Sequence, residues 1–289
     1  MASTTKDSKI KNIDQIISTI GELPASPAIV TAIMNLTSNL NSEVSELGKH
    51  ILSDQVLTAK VLKLSNSSFY GRSKKVSSIN DAVIILGFHT IRSLVLASSV
   101  RGLFKKKDSS KFEGILWEHS LSTAIVCRLL AEHFNHPLRD EAFVCGILHD
   151  IGKLIIYRKF GESYDDLVKE QVRTKKPPTE LEEEYFGFDH TQVGAALLEK
   201  WNFPDEFVSA IRDHHDWVEY DKQDNMPISW IVNYASLCST IIGCNMGATE
   251  NTEVEWLEAV EKIGIPFEEA NVLNAQLFEL FTEEKKIYE

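Results

Sequence analysis

Apolar side chains recur along this chain at the three- and four-residue spacing of an α-helix. Leu57, Val61 and Leu64 share one helical face, and Ser78 with Asp81 forms a capping-box pattern before a second apolar run. No segment alternates apolar and polar residues for long enough to predict a β-sheet. Further helices are predicted over residues 29–36, 90–104, 115–134, 140–157, 191–201, 206–214, 228–242 and 253–281.

Polar stretches divide this helical chain into predicted units. Residues 1–15 are predicted to be a polar tail and residues 16–110 a first helical lobe, because the polar stretch around residues 105–111 is the best boundary. Residues 111–289 then form a second helical lobe with a C-terminal helical extension. Within it we expect a charged connection between residues 160 and 189, helical at 165–174, with the acidic residues 180–184 on a solvated face.

Composition narrows the class of protein. The 289 residues are 43% hydrophobic and 25% charged, which is typical of a chain that buries a core. A net charge of -12 makes nucleic acid and anionic lipid unfavourable partners, so neither is expected. No apolar run approaches the roughly 20 residues of a membrane helix. The four cysteines lack a C-x-x-C spacing, so we expect reduced, mostly buried thiols in a cytoplasmic protein.

The pair His149–Asp150 interrupts an apolar run that spans residues 142–156. A bare buried carboxylate is costly, so this pair must be hydrogen-bonded, charge-paired or bound to a metal ion. Lys153 lies one helical turn after His149, where it could neutralise Asp150 or contact an anionic ligand.

Further histidines are candidates for the same site. His119 lies on the core side of its predicted helix, His190 begins another helix, and the tandem pair His214–His215 ends a third. Imidazole and carboxylate together form a mixed nitrogen and oxygen donor set of binuclear type. The alternative for each histidine taken alone is a hydrogen-bonded core residue. His133 and His136 flank a polar turn and are predicted to be exposed.

The order of these residues resembles the HD superfamily of metal-dependent phosphohydrolases. The N-terminal half is similar to the HDOD module, the HD-related output domain of bacterial signalling proteins. The resemblance covers residues 16–220 and is carried by the segments 53–62, 64–69, 76–87, 148–153 (the signature Leu-His-Asp-Ile-Gly-Lys), 188–195 and 210–215. The last two resemble ligand segments of the cyclic-di-GMP phosphodiesterase branch.

The resemblance implies an all-α, HDOD-type multi-helix fold with an N-terminal helical lobe packed on an HD-like helical lobe. It also implies one or two divalent transition-metal ions of the iron, manganese, nickel or zinc class. The implied metal ligands are His119, His149, Asp150, His190, His214 and His215. Two departures bear on activity: Ser236 stands where HD enzymes carry a ligand carboxylate, and no Gly-Tyr-Pro element follows His215.

Two functions remain open at this point. The first is a regulatory signalling module of bacteria that keeps the metal site without catalysis and acts through an unidentified signalling protein. The alternative is a metal-dependent phosphohydrolase or phosphodiesterase for a nucleotide or cyclic nucleotide. In the second case Asp150 and Lys153 would be catalytic, with Lys153 meeting the phosphate of a nucleotide or phosphate ligand.

Overall fold

The computed structural model describes residues 13, 16, 51–52, 55–66, 75–104, 110–220, 225–244 and 252–288. These residues form α-helices and no β-strand, which confirms the all-α prediction. The first helices are α1 (Gln55–Ser65), α2 (Ile79–Leu86) and α3 (Phe88–Phe104). The later ones are α4 (Lys111–His133), α5 (Arg139–Leu148), α6 (Ile151–Phe160), α7 (Glu162–Thr174), α8 (Pro178–Phe186), α9 (His190–Lys200), α10 (Asp205–Arg212), α11 (Ile228–Ile241), α12 (Thr252–Ile263) and α13 (Phe267–Tyr288).

Helix α4 is buried on most of its circumference and packs against α5 and α11. It begins at a capping box, in which the Glu113 main chain donates to Ser110 Oγ and the Ser110 main chain donates to Glu113 Oε2, each at 3.1 Å. Close approach of α5 depends on Gly146, where a Cβ would lie 2.7 Å from the Cα of Ala124. This packing brings His119 of α4 into the interior.

The chain leaves helical geometry at Asp150, so the single helix predicted over residues 140–157 is wrong. Asp150 has φ -99° and ψ 14°, and α6 starts from it with the Lys153 N–H donating to the Asp150 carbonyl at 2.9 Å. Consecutive residues of a regular helix point about 100° apart. The break instead lets the adjacent side chains of His149 and Asp150 meet in one site.

The connection predicted between residues 160 and 189 is mostly helical. Helix α7 covers the predicted 165–174 segment and buries Tyr164, Leu167 and Gln171 on one face. Helix α8 was not expected; it begins with Pro178, whose missing N–H costs little in a first turn, and ends at Gly187 with φ 86°.

One further helix boundary differs from the prediction, and the predicted boundary between the two lobes is not tested. The single helix predicted over residues 253–281 is two helices, because Gly264, at φ 80°, and Pro266 end α12 before α13 begins. Apolar side chains on both sides of the predicted lobe boundary join one core, and Phe104 packs on Trp117 with ring centroids 5.3 Å apart. The division into lobes stays a prediction, and the tail and the helix predicted at 29–36 lie almost wholly outside the described residues.

Other sequence predictions agree with the structure. Helices α9, α10 and α11 begin and end within two residues of the predicted bounds. All four cysteines are free and buried. None of the helices in the described part of the chain combines the length and the apolar character that crossing a bilayer requires.

The N-terminal ends of α6 and α9 touch at Gly152, which gives a test of this packing. A Cβ at Gly152 would lie 1.9 Å from the carbonyl oxygen of His190, so either backbone must move. We expect Gly152→Ala to lower the free energy of unfolding by about 1–3 kcal/mol or more, measured by chemical denaturation. Gly114→Ala is the control, because Gly114 is exposed in α4 with nothing within 4 Å of its Cβ position, and it should stabilise by up to about 1 kcal/mol. Equal effects of the two changes would contradict the close approach.

Candidate metal centre

The carboxylate of Asp150 has no exposure to water and lies among four imidazole rings. Its Oδ2 atom is 3.4 Å from His149 Nε2 and 3.7 Å from His119 Nε2. Its Oδ1 atom is 3.3 Å from His190 Nε2 and 3.7 Å from His214 Nε2. These side chains come from α4, from the break between α5 and α6, from α9 and from the turn after α10. The site is therefore assembled by the packing of separate helices.

All six predicted ligands lie in two overlapping groups. The first group is Asp150, His190, His214 and His215, and the second is His119, His149 and Asp150. Within each group one donor atom per residue lies within 4.8 Å of the others, so each could hold a metal ion. His215, at the exposed edge of the first group, places its Nε2 3.0 Å from that of His190. Their role as ligands stays a prediction.

The opposite ring nitrogen, Nδ1, of each buried histidine in the cluster faces an oxygen that can only accept a hydrogen bond. Each Nδ1 therefore carries the proton and donates it, which leaves the lone pair of each Nε2 directed at the cluster. The four pairs are His119 Nδ1 to Cys244 O at 2.7 Å, His149 Nδ1 to Gly146 O at 2.8 Å, His190 Nδ1 to Glu182 Oε2 at 2.6 Å and His214 Nδ1 to Ile211 O at 2.7 Å.

This arrangement fits a cation. Three buried atoms that point into the cluster, His149 Nε2, His214 Nε2 and Asp150 Oδ1, have no hydrogen-bond partner. The lone pairs of the Nε2 atoms face the carboxylate of Asp150, and protonation of the rings does not relieve this repulsion. Burial lowers the pKa of His119 to about 3 and that of His214 to about 4, so both rings stay neutral at neutral pH. Neutral imidazoles with their second nitrogen fixed by a hydrogen bond are the form in which histidine binds metal ions.

Lys153 neutralises Asp150, which is one of the two roles that the sequence predicts for this lysine. Its Nζ donates to Asp150 Oδ2 at 2.8 Å. Burial alone would raise the pKa of Asp150, but His149 and Lys153 beside it hold that pKa well below its usual range. The aspartate is therefore ionised at neutral pH and available as a ligand.

Glu182 belongs to the site and was wrongly predicted to lie on a solvated face. It has no exposure to water, and its Oε2 accepts from both the Nδ1–H of His190 at 2.6 Å and the main-chain N–H of His190 at 2.8 Å. Its Oε1 accepts from the hydroxyl of Tyr164 at 2.7 Å. The four-residue spacing between Glu182 and the buried Phe186 is the signal that could have placed it on the inner face of α8.

Ser236 reaches the cluster from α11. Its Oγ lies 3.2 Å from His119 Nε2, and because that nitrogen carries a lone pair, the Ser236 hydroxyl donates to it. A serine offers the second group no negative charge and occupies the lone pair of His119. The two groups are therefore chemically unequal.

A cavity of about 450 Å³ leads from the cluster to the surface. His119, His214 and Lys153 form its base, and Tyr164 is part of one wall. The α7–α8 connection brings lysine side chains to its lining, and α12 brings acidic ones. The cavity therefore gives a small molecule of mixed charge access to the candidate metal ligands.

His136 is buried, so its predicted exposure is wrong, whereas His133 is exposed as expected. The Nε2–H of His136 donates to the Met226 carbonyl at 2.9 Å, and its Nδ1 accepts from the Leu138 N–H at 3.1 Å. These bonds join the turn after α4 to the segment before α11. His136 is thus a hydrogen-bonded core histidine away from the metal ligands.

Comparison with known proteins places this architecture in a family. The HDOD domain model matches residues 23–217. A crystal structure of an HDOD domain protein with unknown function from Geobacter sulfurreducens is 28% identical, with a TM-score of 0.73, and the match covers 96% of this chain and 95% of that one.

Two curated relatives are similar over most of this chain. An uncharacterized protein of Treponema pallidum is 25% identical over 219 residues, which are 75% of this chain and 42% of that protein. A ribonuclease Y of Mycoplasmoides gallisepticum is 25% identical over 202 residues, which are 66% of this chain and 29% of the enzyme. The chain therefore spans less than half the length of either relative.

The lowered pKa values predict how the stability of the metal-free protein depends on pH. As the pH falls through about 6.5, the unfolded chain binds protons at His119 and His214, whereas the folded chain binds them only near pH 4 and below. The free energy of unfolding should therefore fall on acidification from neutral pH to about pH 5, measured by urea denaturation in the presence of a chelator. Burial also lowers the pKa of His136, which adds to the effect.

His214→Asn should make this pH dependence shallower, because one of the titrating groups is removed. His133→Gln, at an exposed histidine of α4, is the control and should leave the slope unchanged. A wild-type stability that does not change over this range would contradict the neutral, buried state of the cluster.

Proposed function

The chain belongs to the HDOD family, and on that premise we propose that it is a regulatory module of bacterial signalling, built around a divalent-metal centre and without catalysis of its own. One observation carries the metal centre: four histidines, each with Nδ1 held by an acceptor, direct Nε2 at the buried carboxylate of Asp150. Partner choice and signal would then depend on the surfaces that the centre holds in place.

The buried charges support a cation at this position. Asp150 and Glu182 each bring a negative charge to the cluster, and Lys153 brings one positive charge. The histidines that burial keeps neutral do not balance the remaining negative charge. A divalent ion would compensate this charge and would act, when bound, as a Lewis acid for an oxygen ligand.

The first group would be the stronger binding position. It combines the carboxylate of Asp150 with three imidazoles, and the hydrogen bond from His190 to Glu182 makes one of them more basic. The second group would be weaker, because Ser236 contributes a neutral hydroxyl instead of a carboxylate. We therefore propose one tightly bound ion of the iron, manganese, nickel or zinc class.

The same asymmetry argues for regulation rather than turnover. Hydrolysis by a pair of ions requires both positions to be filled, so that attacking and leaving oxygens are stabilised together. Ser236 removes charge from one position. The Gly-Tyr-Pro element of the cyclic-di-GMP-specific branch is also missing after His215. Both departures reduce catalysis, and both leave the first metal-binding position intact.

A metal-dependent phosphohydrolase or phosphodiesterase is the second candidate. Its support is the placement of Lys153 at the base of the cavity, beside Asp150, where an ammonium group could meet a phosphate. The similarity to a ribonuclease Y points the same way. A net charge of -12 counts against a long RNA as the substrate, so a small phosphate ester is the better candidate.

Metal content tests the first proposal directly. We expect the purified protein to retain about one equivalent of transition metal, because three imidazoles and a carboxylate suffice for a tight site. Asp150→Asn should lose it, measured by elemental analysis and by the thermal shift on adding manganese, iron, nickel or zinc. Asp205→Asn, at an exposed carboxylate of α10, is the matched control. Trace metal and no thermal shift in the wild type would refute the metal centre.

Restoring the missing carboxylate tests the asymmetry of the two groups. Ser236→Asp should raise metal binding from about one to about two ions, measured by calorimetric titration, because it supplies a charged ligand beside His119. Ser236→Asn has nearly the same shape without the charge and should not. If both variants bind like the wild type, Ser236 does not limit the second position.

Turnover distinguishes the two functions. With the metal-loaded protein and a chromogenic phosphodiester, we expect little or no hydrolysis by the wild type and a gain in Ser236→Asp. Rapid wild-type hydrolysis that disappears in Asp150→Asn would favour the phosphohydrolase instead. Asp205→Asn again controls for a change in surface charge.

A further inference from the structure

We propose that Glu182 is a positioning residue, which fixes the orientation and basicity of His190 as a metal ligand and is itself held by Tyr164 of the cavity wall. This inference rests on the proposed metal centre and concerns residues outside its predicted ligand set. It assigns a function to an acidic residue whose neighbours in sequence, Glu183 and Glu184, are exposed.

One carboxylate oxygen holds His190 at two points. Glu182 Oε2 accepts from the ring Nδ1–H and from the main-chain N–H of the same residue. The main-chain bond satisfies a donor in the first turn of α9, where no intrahelical partner exists. The ring bond then fixes the rotation of the imidazole relative to that backbone, so that Nε2 points at Asp150 Oδ1, 3.3 Å away.

The second carboxylate oxygen is held by Tyr164. The Tyr164 hydroxyl donates to Glu182 Oε1 at 2.7 Å, and its ring packs edge-on against Phe112, 5.1 Å away, in the wall of the cavity. Burial and the neighbouring Glu182 raise the pKa of Tyr164 well above its usual range, so the tyrosine keeps its proton and remains a donor. Both oxygens of Glu182 are thus restrained by side chains of other helices.

The charge of Glu182 makes this more than a structural hydrogen bond. In the part of the chain that the structure describes, this buried carboxylate has its one basic neighbour in His190, whose Nδ1 lies 2.6 Å from Oε2. A cation at Nε2 draws electron density from the ring and strengthens the Nδ1–H as a donor, so the bond to Glu182 tightens when the ion binds. By linkage, the presence of the carboxylate increases metal affinity at this position.

The experiment measures zinc affinity of the full chain by calorimetry against a competing chelator. Glu182→Gln keeps the size of the side chain and removes its charge, and we expect it to weaken binding by about 10–100-fold. Tyr164→Phe removes only the restraint on Oε1 and should weaken binding by a smaller factor. Glu183→Gln, one residue along α8 and exposed, is the matched control and should bind like the wild type.

A second measurement separates positioning from a purely structural role. In zinc-loaded protein with nitrogen-15-labelled histidine, the Nδ1–H of His190 should give a far-downfield proton signal that exchanges slowly with water. This signal should disappear in Glu182→Gln and persist in Glu183→Gln. A structural role alone would lower the melting temperature of the metal-free protein without changing zinc affinity.

The outcomes distinguish this inference from the proposed function. If the wild type binds zinc and Glu182→Gln binds it equally tightly, Glu182 is not a positioning residue, although the metal centre stands. If the wild type binds neither zinc nor manganese, iron or nickel, both proposals are wrong. Should Glu182→Gln fail to fold, Tyr164→Phe takes its place in the test, and wild-type affinity in that variant would overturn the inference.

Discussion

A carboxylate removed from water costs several kcal/mol unless charges and hydrogen bonds compensate it, and Asp150 is such a group. Side chains of the surrounding helices provide this compensation. Lys153 supplies one positive charge from the next turn of α6, and four imidazoles approach from separate elements. The histidines that burial keeps neutral cannot balance the remaining negative charge of the cluster, so the cluster favours a bound cation. Binding of that cation would hold together the helices that supply its ligands.

The tautomer of two of these histidines is fixed by their position at the end of a helix. His149 and His214 each follow the end of a helix and donate Nδ1–H to the carbonyl three residues earlier, that of Gly146 or Ile211. Carbonyls at a helix C-terminus have no partner within the helix, so the side chain both satisfies the backbone and fixes its own tautomer. Local chain geometry thus prepares Nε2 as a ligand before any ion is considered.

The proposed regulatory role follows from an imbalance within one site. The group around His190 gains a buried carboxylate behind its histidine, whereas the group around His119 meets the hydroxyl of Ser236. Strengthening one position and weakening the other suits a centre that retains an ion without the paired ions of hydrolysis. The cavity above it keeps the centre accessible to a small ligand, so binding there could be communicated through the same helices.

The sequence by itself determined the helical class, several helix bounds and the membership of the cluster, because apolar periodicity and the isolated polar residues His119, His149 and Asp150 are local signals. It could not determine that the chain breaks at Asp150, since an apolar run on both sides looks like one helix. It also misplaced Glu182 among exposed neighbours. Only the tertiary structure decided that point, because burial of a carboxylate depends on partners distant in the sequence, here Tyr164 and His190, that come together when α7, α8 and α9 pack.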